Sequence, residues 1–522
     1  MIPVRLKELH AASGVLWSAG AAGAAGAAGA AGAAGAAGAA GAGGRLISGV
    51  TTDSRGDVGG KLFLGIPGPR FDGARFAADA VSRGAAAVLV EDGPGVRASL
   101  AELAAGTGVS VATCADAVSA LGAMAAAVRA RASAKVIGIT GSCGKTSTKE
   151  ILATLLGATA ETCASRASFN NHIGVPLTLL EVTPSAEALI VEIGTNHPGE
   201  IGPLAALARP EIAIVTNVGH SHLAGLGSLA GVAEEKGALV ASLTDGGVAI
   251  LNADCPSTPA LQSRAAAGVR VVTFSAAGTP GADLRALDLE VHPGGTRFVL
   301  EGNAVPGGER GRTVTVPLLG EHAVANVLAA LAAVIAAGAN LGGSLGAIDQ
   351  LRPAPHRLEP STANGVMIID DAYNANPESV AAATRLLARV RPAAAEGRRW
   401  LALGEMGELG ADSLSLHREA GELVAREAID RLLVVGEAAP GGPLAAALEG
   451  ARAAGVDAEH ASSIEVGVRR LTDHDDGLLP GDVLLVKASR AAGLEALALQ
   501  VRASLDAGPR STVDGRSVEV LT

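Results

Sequence analysis

The sequence predicts an α/β protein of three domains: a small α/β N-terminal domain, a central P-loop ATPase-like domain with a mostly parallel sheet, and a C-terminal Rossmann-like α/β domain. Three observations carry that expectation. A chain of 522 residues exceeds one ordinary core, since domains run to about 150 residues each. From Lys135 onward, short apolar strands alternate with loop and helix sequence, the pattern of a parallel sheet with covering helices. That alternation breaks once, at the proline-containing "LRPAPHRLEP", and then starts again.

The first domain is expected over residues 1–130. Within it, residues 19–44 are almost pure Gly-Ala, with glycine at every third position from Gly20 to Gly41. The run holds no proline, so a triple helix is not indicated, and each glycine opposes helix by roughly 1 kcal/mol. It reads as a mobile surface insertion. After it, "ISGVTTDSRGDVGGKLFLGIPGPRFDG" alternates apolar runs with glycine-rich turns, followed by a helix, the strand "AAAVLV" and an alanine-rich helix from about 115 to 132.

The central domain is expected over residues 131–351, with strands "KVIGIT", "ALIVEIG", "EIAIVTN" and "VAILNAD". Such sheets bind ligands at the carboxyl ends of their strands. Thr140, Glu192, Asn217 and Asn252 fall at those ends, so one sheet edge should collect them. The last domain, residues 352–522, repeats the pattern with "VMIID", "RWLALG", "DRLLVVG" and "DVLLVK". Two sheets with polar strand ends imply a cleft between them.

Composition narrows the function classes. Apolar residues make up 48% of the chain although aromatics are only 2%, so Ala, Val and Leu must fill the cores. The net charge of −11 argues against a general nucleic-acid or anionic-membrane binder. Cys114, Cys143, Cys163 and Cys255 show no CxxC spacing, so neither a disulfide frame nor a zinc site is indicated, which suits a reducing cytoplasm. The amino terminus lacks the apolar core of a signal peptide, and no segment has the 18 or so apolar residues of a membrane span. With seven lysines against 34 arginines, a lysine carries more information than usual, although Lys7, Lys61 and Lys149 read as plain surface residues.

The stretch "GITGSCGKTSTKE" reads as strand, glycine loop and helix. The strict phosphate-loop pattern wants a glycine where Ile139 stands. Gly141 and Gly144 still let amides, including those near Ser142 and Ser147, turn toward an anion; Lys145 supplies a full charge, and Thr146 can hold Mg2+. Cys143 is either a low-pKa thiol or a bystander. Glu192, a carboxylate ending an apolar strand, suits a magnesium ion beside a triphosphate, or a local backbone or arginine partner. His222 and His220 on "TNVGHSHLAGLGS" compete as a further metal ligand. Lys236, beside two acidic residues, has the bland alternative of a solvated helix charge. In the last domain "IIDDAYNANPESV" gathers Asp371, Tyr373, Asn374 and Asn376 at one strand end, and "VKASR" gathers Lys487, Ser489 and Arg490 at another. An arginine there can clamp a carboxylate bidentately.

In this order and spacing the motifs resemble the Mur ligase family, within it the branch that adds D-alanyl-D-alanine to UDP-N-acetylmuramoyl-tripeptide. "TGSCGKT" fits the family's own loop, and "TTDSR", "SFNNHIGVPLTLL", "EIGTNHPGEIG", "EEKG", "IDDAYNANP", "LGEMGELG" with His417 and "GDVLLVKASR" fit its other stretches. The resemblance implies an ATP-dependent, ADP-forming, amide-forming ligase that works through an acyl phosphate with two magnesium ions. It makes Glu192 and His222 metal ligands, and Lys236 a lysine carboxylated by CO2 to bridge the second ion. Asn326 becomes the adenine contact, and Arg357 and Asp371 the residues that meet ribose and phosphates. Thr52, Asp53, Ser54 and Arg55 would receive the uridine diphosphate, with Asn170 and Asn171 on a substrate-facing loop. Ala323, His356, Ala488 and Ala491 depart from the family pattern, the first where asparagine is usual and the others where glycines are.

Two alternatives stand beside this. A sister branch that adds a single amino acid shares "TDSR", but its D-N-P-R signature is absent; a non-ligating P-loop switch leaves the motif-dense outer domains without a purpose. No helix shows a sustained a/d seam, so a monomer is expected, in the cytoplasm that the cysteine pattern suits.

Overall fold

The computed structural model describes residues 46–68 and 72–507, with short stretches at 1–2, 4–6, 8–9 and 16–18. The Gly-Ala run and Lys7 lie outside the described residues. Three parallel-rich sheets follow one another along the chain.

The N-terminal sheet has five strands. Val50–Thr51, Leu62–Gly65, Ala87–Glu91 and Ser110–Cys114 pair in parallel, and Leu16–Ser18 joins the last antiparallel. The helix Ala117–Arg129, capped by Asp116, leads to the central domain. Its buried Arg129 donates to the oxygens of Ala208 and Arg209 at 2.8 and 3.1 Å and meets Glu211 at 3.2 Å, tying the two domains together.

The central sheet runs through nine strands. Its four anticipated strands are Lys135–Thr140, Ala188–Glu192, Ile212–Val215 and Val248–Asn252. With Thr162–Ala164, Arg270–Ser275 and the start of Leu284–His292 they pair in parallel. Both faces are covered, one by helices such as Leu229–Ala241, the other by Lys145–Gly157 and Glu321–Ala337. Beyond the expected strands the sheet continues in an antiparallel extension, Leu284–His292, Gly295–Glu301 and Arg312–Val316. Its first strand shifts register between Leu287 and Glu290, with Asp288 at φ 51°. A bulge of that kind breaks the two-residue alternation by which a strand is recognised.

The last sheet orders Glu359–Ala363, Val366–Asp371, Val483–Lys487, Arg399–Leu403, Arg431–Val435 and Asp457–Ala461, all parallel except the first pair. The four anticipated strands are present. The two at the edges, 359–363 and 457–461, escaped the reading because edge strands carry polar residues on one face. Among the described residues no helix is long and apolar enough to cross a membrane.

Candidate active site

The carboxyl ends of the central strands do collect their polar residues, and the phosphate loop shows why. Ile139 is wholly buried in its strand, so the position where the strict pattern wants glycine is core here. The turn begins at Gly141, φ 150°, where an added Cβ would lie 1.9 Å from Thr216 Oγ1. Gly144, φ 82°, caps the helix Lys145–Gly157 while an added Cβ would meet Asn326 Oδ1 at 2.4 Å. Neither position admits a side chain. Asn217 Oδ1 accepts from Cys143 N at 2.9 Å, and Asn252 Nδ2 donates to Thr216 O at 3.0 Å. Helix start and glycine loop together make an anion cradle.

Within the cradle, Lys145 Nζ donates to Gly141 O at 2.6 Å. Burial and the Arg357 guanidinium push its pKa down, against the pull of Glu192. A polyphosphate is the kind of partner that would hold this amine charged. Cys143 is not a low-pKa thiol: burial pushes it up, and its Sγ donates to Asn376 Oδ1 at 3.1 Å.

Glu192 is 1% exposed yet meets neutral donors. Thr146 Oγ1 donates to one carboxylate oxygen at 3.0 Å and Asn170 Nδ2 to the other at 2.8 Å. A buried carboxylate beside a hydroxyl in a phosphate loop fits a hard cation such as magnesium. Among the described residues no three His, Cys, Asp or Glu side chains cluster as a metal cage, so phosphate and water oxygens would have to complete the shell, as is usual for that ion.

Lys236 is no solvated helix charge. It is 1% exposed, and burial together with the Lys145 charge brings its pKa down to about 7. The neighbouring Glu235 accepts instead from Gly199 N and Ile201 N, at 2.6 and 2.7 Å. His222, at the start of the short helix Leu223–Leu226, is pushed down by burial and feels the charges of Glu408, Lys145 and Lys236. His220 is taken up by Glu378.

Lys149 corrects the surface reading. It is fully buried because its Nζ donates to Ser165 O and Ala167 O at 2.7 and 2.6 Å and pairs with Glu150. Those bonds hold the loop whose Ser168 bonds Tyr373 at 3.0 Å and whose Asn170 bonds Glu192. Lys149→Met should leave two carbonyls unpaired and cost about 2–4 kcal/mol, read as a lowered urea midpoint. Lys61, by contrast, is partly exposed and pairs with Asp57 at 3.0 Å.

The last domain closes the site. A cavity of about 420 Å³ lies between it and the phosphate loop, lined by Ser142, Gly144, Ser147 and Asn326 on one side and by Arg357, Asp371, Tyr373, Asn374, Asn376 and Lys487 on the other. Arg357 Nη2 donates to Thr146 Oγ1 at 3.2 Å and its guanidinium stacks 4.1 Å from the Tyr373 ring centre. Lys487 pairs with Asp371 at 2.8 Å and donates to Asn374 O at 2.7 Å. Asn376 Oδ1 caps the helix Pro377–Arg389. His356, at φ 58° where a glycine would be unstrained, bonds Asp370 through Nδ1 at 2.8 Å. Arg490 is largely exposed, 5.2 Å from the Tyr373 ring centre, and Ser489 is buried beside it.

Other anticipated residues stand apart from this cavity. Thr52, Asp53, Ser54 and Arg55 follow the first parallel strand of the N-terminal sheet; the Arg55 guanidinium holds Asp53 at a pKa of about 2. Asn171 Oδ1 accepts from Ile173 N and Gly174 N at 3.1 and 2.9 Å, which fixes its side chain just ahead of the helix Gly174–Leu180. The sequence reading passed over Thr216, Ser168, Glu378 and Glu408. All four stand inside quoted motifs, Thr216 in "EIAIVTN" and Glu378 in "IIDDAYNANPESV", but what each does depends on a partner elsewhere in the fold, as Thr216 Oγ1 does on Cys143 O.

Three family domains match along the chain: the Mur ligase family catalytic domain over residues 46–131, the Mur ligase middle domain over 139–334, and the Mur ligase glutamate ligase domain over 356–490. The chain belongs to the Mur ligase family. Among Mur ligases, the UDP-N-acetylmuramoyl-tripeptide–D-alanyl-D-alanine ligase of Mycobacterium tuberculosis is 38% identical over 477 residues, 87% of this chain and 92% of that one. The MurF structure from Acinetobacter baumannii superposes with a TM-score of 0.78 at 28% identity, covering 96% of this chain and 99% of that one. MurF ligase from Thermotoga maritima in complex with ADP gives 0.72 at 25% identity, covering 88% and 98%.

Proposed function

We propose that this Mur ligase is of the MurF type, joining D-alanyl-D-alanine to UDP-N-acetylmuramoyl-tripeptide with ATP to give the UDP-muramoyl-pentapeptide precursor of peptidoglycan. The observation that carries the reading is the cavity where the phosphate loop of one domain meets Arg357, Asp371 and Lys487 of the next. It agrees with the relatives' named activity and with the ADP complex of the T. maritima enzyme.

A carboxylate is a poor electrophile until its charge is neutralised. Phosphoryl transfer from ATP to the tripeptide carboxylate makes an acyl phosphate; the dipeptide amine then attacks the carbonyl carbon, and phosphate leaves. Lys145 and the loop amides stabilise the moving charge, while Arg357 and Asp371 hold the nucleotide and the seated last domain excludes water. Asn326, which lines the cavity, would meet the adenine. Thr146 and Glu192 would hold one magnesium ion, and His222 with a carboxylated Lys236 a second, which supply charge neutralisation when bound. Thr52 to Arg55 on the first domain, residues 1–130, would receive the uridine diphosphate, and Lys487, Ser489 and Arg490 the dipeptide. We read the enzyme as a cytoplasmic monomer.

A lysine must be neutral to attack CO2. With its pKa lowered to about 7, Lys236 loses its proton as pH rises through 7, so carbamate should form above that pH and fade below it. ¹³C-bicarbonate should give a carbamate resonance in the wild type and none in Lys236→Arg, which keeps the charge but cannot form the adduct. Arg490→Ala should raise the KM for D-alanyl-D-alanine about 10–100-fold, the worth of charged hydrogen bonds, with the ATP KM unmoved.

The test of the reading is an ATP-dependent ligation assay with UDP-muramoyl-tripeptide. Product is expected with D-alanyl-D-alanine. Coupling of single amino acids instead would favour the sister branch, and ADP release without any product a nucleotide switch.

A further inference from the structure

We propose that Glu408, carried by the last domain, is the positioning residue for His222, fixing the imidazole through Nδ1 so that Nε2 is the nitrogen turned to the metal. The inference rests on the reading of His222 as a metal ligand. His222 Nδ1 is buried and makes no hydrogen bond as it stands, while Glu408 Oε2 lies 2.5 Å away, off the line of one, so that a small turn of the carboxylate would complete it. Ala224 N donates to Glu408 O at 3.2 Å, so backbone and carboxylate of one residue both turn to the His222 loop.

Strain points the same way. Both residues are left-handed, His222 at φ 56° and Glu408 at φ 62°, a conformation that persists in non-glycine residues only where the surroundings impose it. The Glu408 side chain is 60% exposed, so burial of its own does not hold it there. Its loop is pinned from behind: Met406 N donates to Nε2 of the wholly buried His417 at 2.9 Å, and Ser489 N donates to Glu405 O at 2.9 Å.

On the same loop, His220 N donates to Glu378 Oε1 at 2.9 Å. Both histidines therefore answer to glutamates of the last domain. A carboxylate on the far nitrogen of a metal-binding histidine sets its tautomer and ring direction, and loss of such a partner lowers metal affinity by about 10–100-fold. With Glu408 in that role, the metal site is complete only while the last domain is seated.

The test is Mn2+ titration of the full chain with ADP present, free Mn2+ being read by electron paramagnetic resonance. His222→Ala identifies the ion concerned. Glu408→Ala should weaken that same ion about 10–100-fold with an unchanged melting temperature, since the side chain is exposed, and Glu408→Gln, which keeps an acceptor oxygen, should recover part of the loss. Wild-type Mn2+ binding in Glu408→Ala, with binding weakened in His222→Ala, would overturn the role of Glu408 alone. Wild-type binding in His222→Ala would overturn the metal reading with it.

Discussion

Lys145→Ala is expected to abolish measurable phosphate release, lowering kcat by about 10³-fold, roughly 4 kcal/mol, as for loss of a group that meets charge developing in the transition state. The side chain folds back on Gly141 O at 2.6 Å and lies in no apolar core, so the variant should unfold at the wild-type temperature. Its effect should therefore appear in kcat more than in ATP affinity, because the loop amides and the helix start remain to bind phosphate. Steady-state phosphate release at saturating ATP checks this. A kcat within tenfold of the wild type would remove Lys145 from the mechanism.

Glu192→Ala comes next in expected size. The carboxylate is almost fully buried and bonded by Thr146 and Asn170, so its removal takes away an anionic group beside the loop hydroxyl that fits a magnesium ion. A fall of about 10²–10³-fold in kcat is expected at ordinary magnesium levels, relieved in part as magnesium is raised. The measurement is kcat against magnesium concentration. A curve that drops in height without moving along the concentration axis would say that Glu192 serves the fold and not the ion.

How much of this was legible beforehand depended on whether the signal was local. The strands that end in Thr140, Glu192, Asp371 and Lys487 were legible because each is a short apolar run with a polar residue at its end, and burial on both faces leaves no other pattern. The phosphate loop was legible for the same reason, and Ile139 ceased to be an anomaly once it proved to be core. Residues whose role lies in what they touch across the fold were not legible. Lys149 looks like a surface charge until its two carbonyl partners, 16 and 18 residues on, come into view. Lys236 beside two glutamates reads as solvated until the helix is seen to turn it inward while Glu235 caps the segment at Gly199 and Ile201. Glu408 and Glu378 could be recognised only once two domains were set against each other. The antiparallel extension beyond Leu284 was hidden by its bulge.

The central claim is that a substrate carboxylate is activated by phosphorylation and then captured by the dipeptide amine. Its most direct test uses UDP-muramoyl-tripeptide labelled with ¹⁸O in the terminal carboxylate, with ATP and D-alanyl-D-alanine. An acyl phosphate keeps one carboxylate oxygen bonded to phosphorus when the amine displaces phosphate from carbon. One labelled oxygen should thus appear in inorganic phosphate for each amide bond formed, read by the isotope shift in the ³¹P spectrum. Phosphate released without label, while UDP-muramoyl-pentapeptide accumulates, would contradict the account.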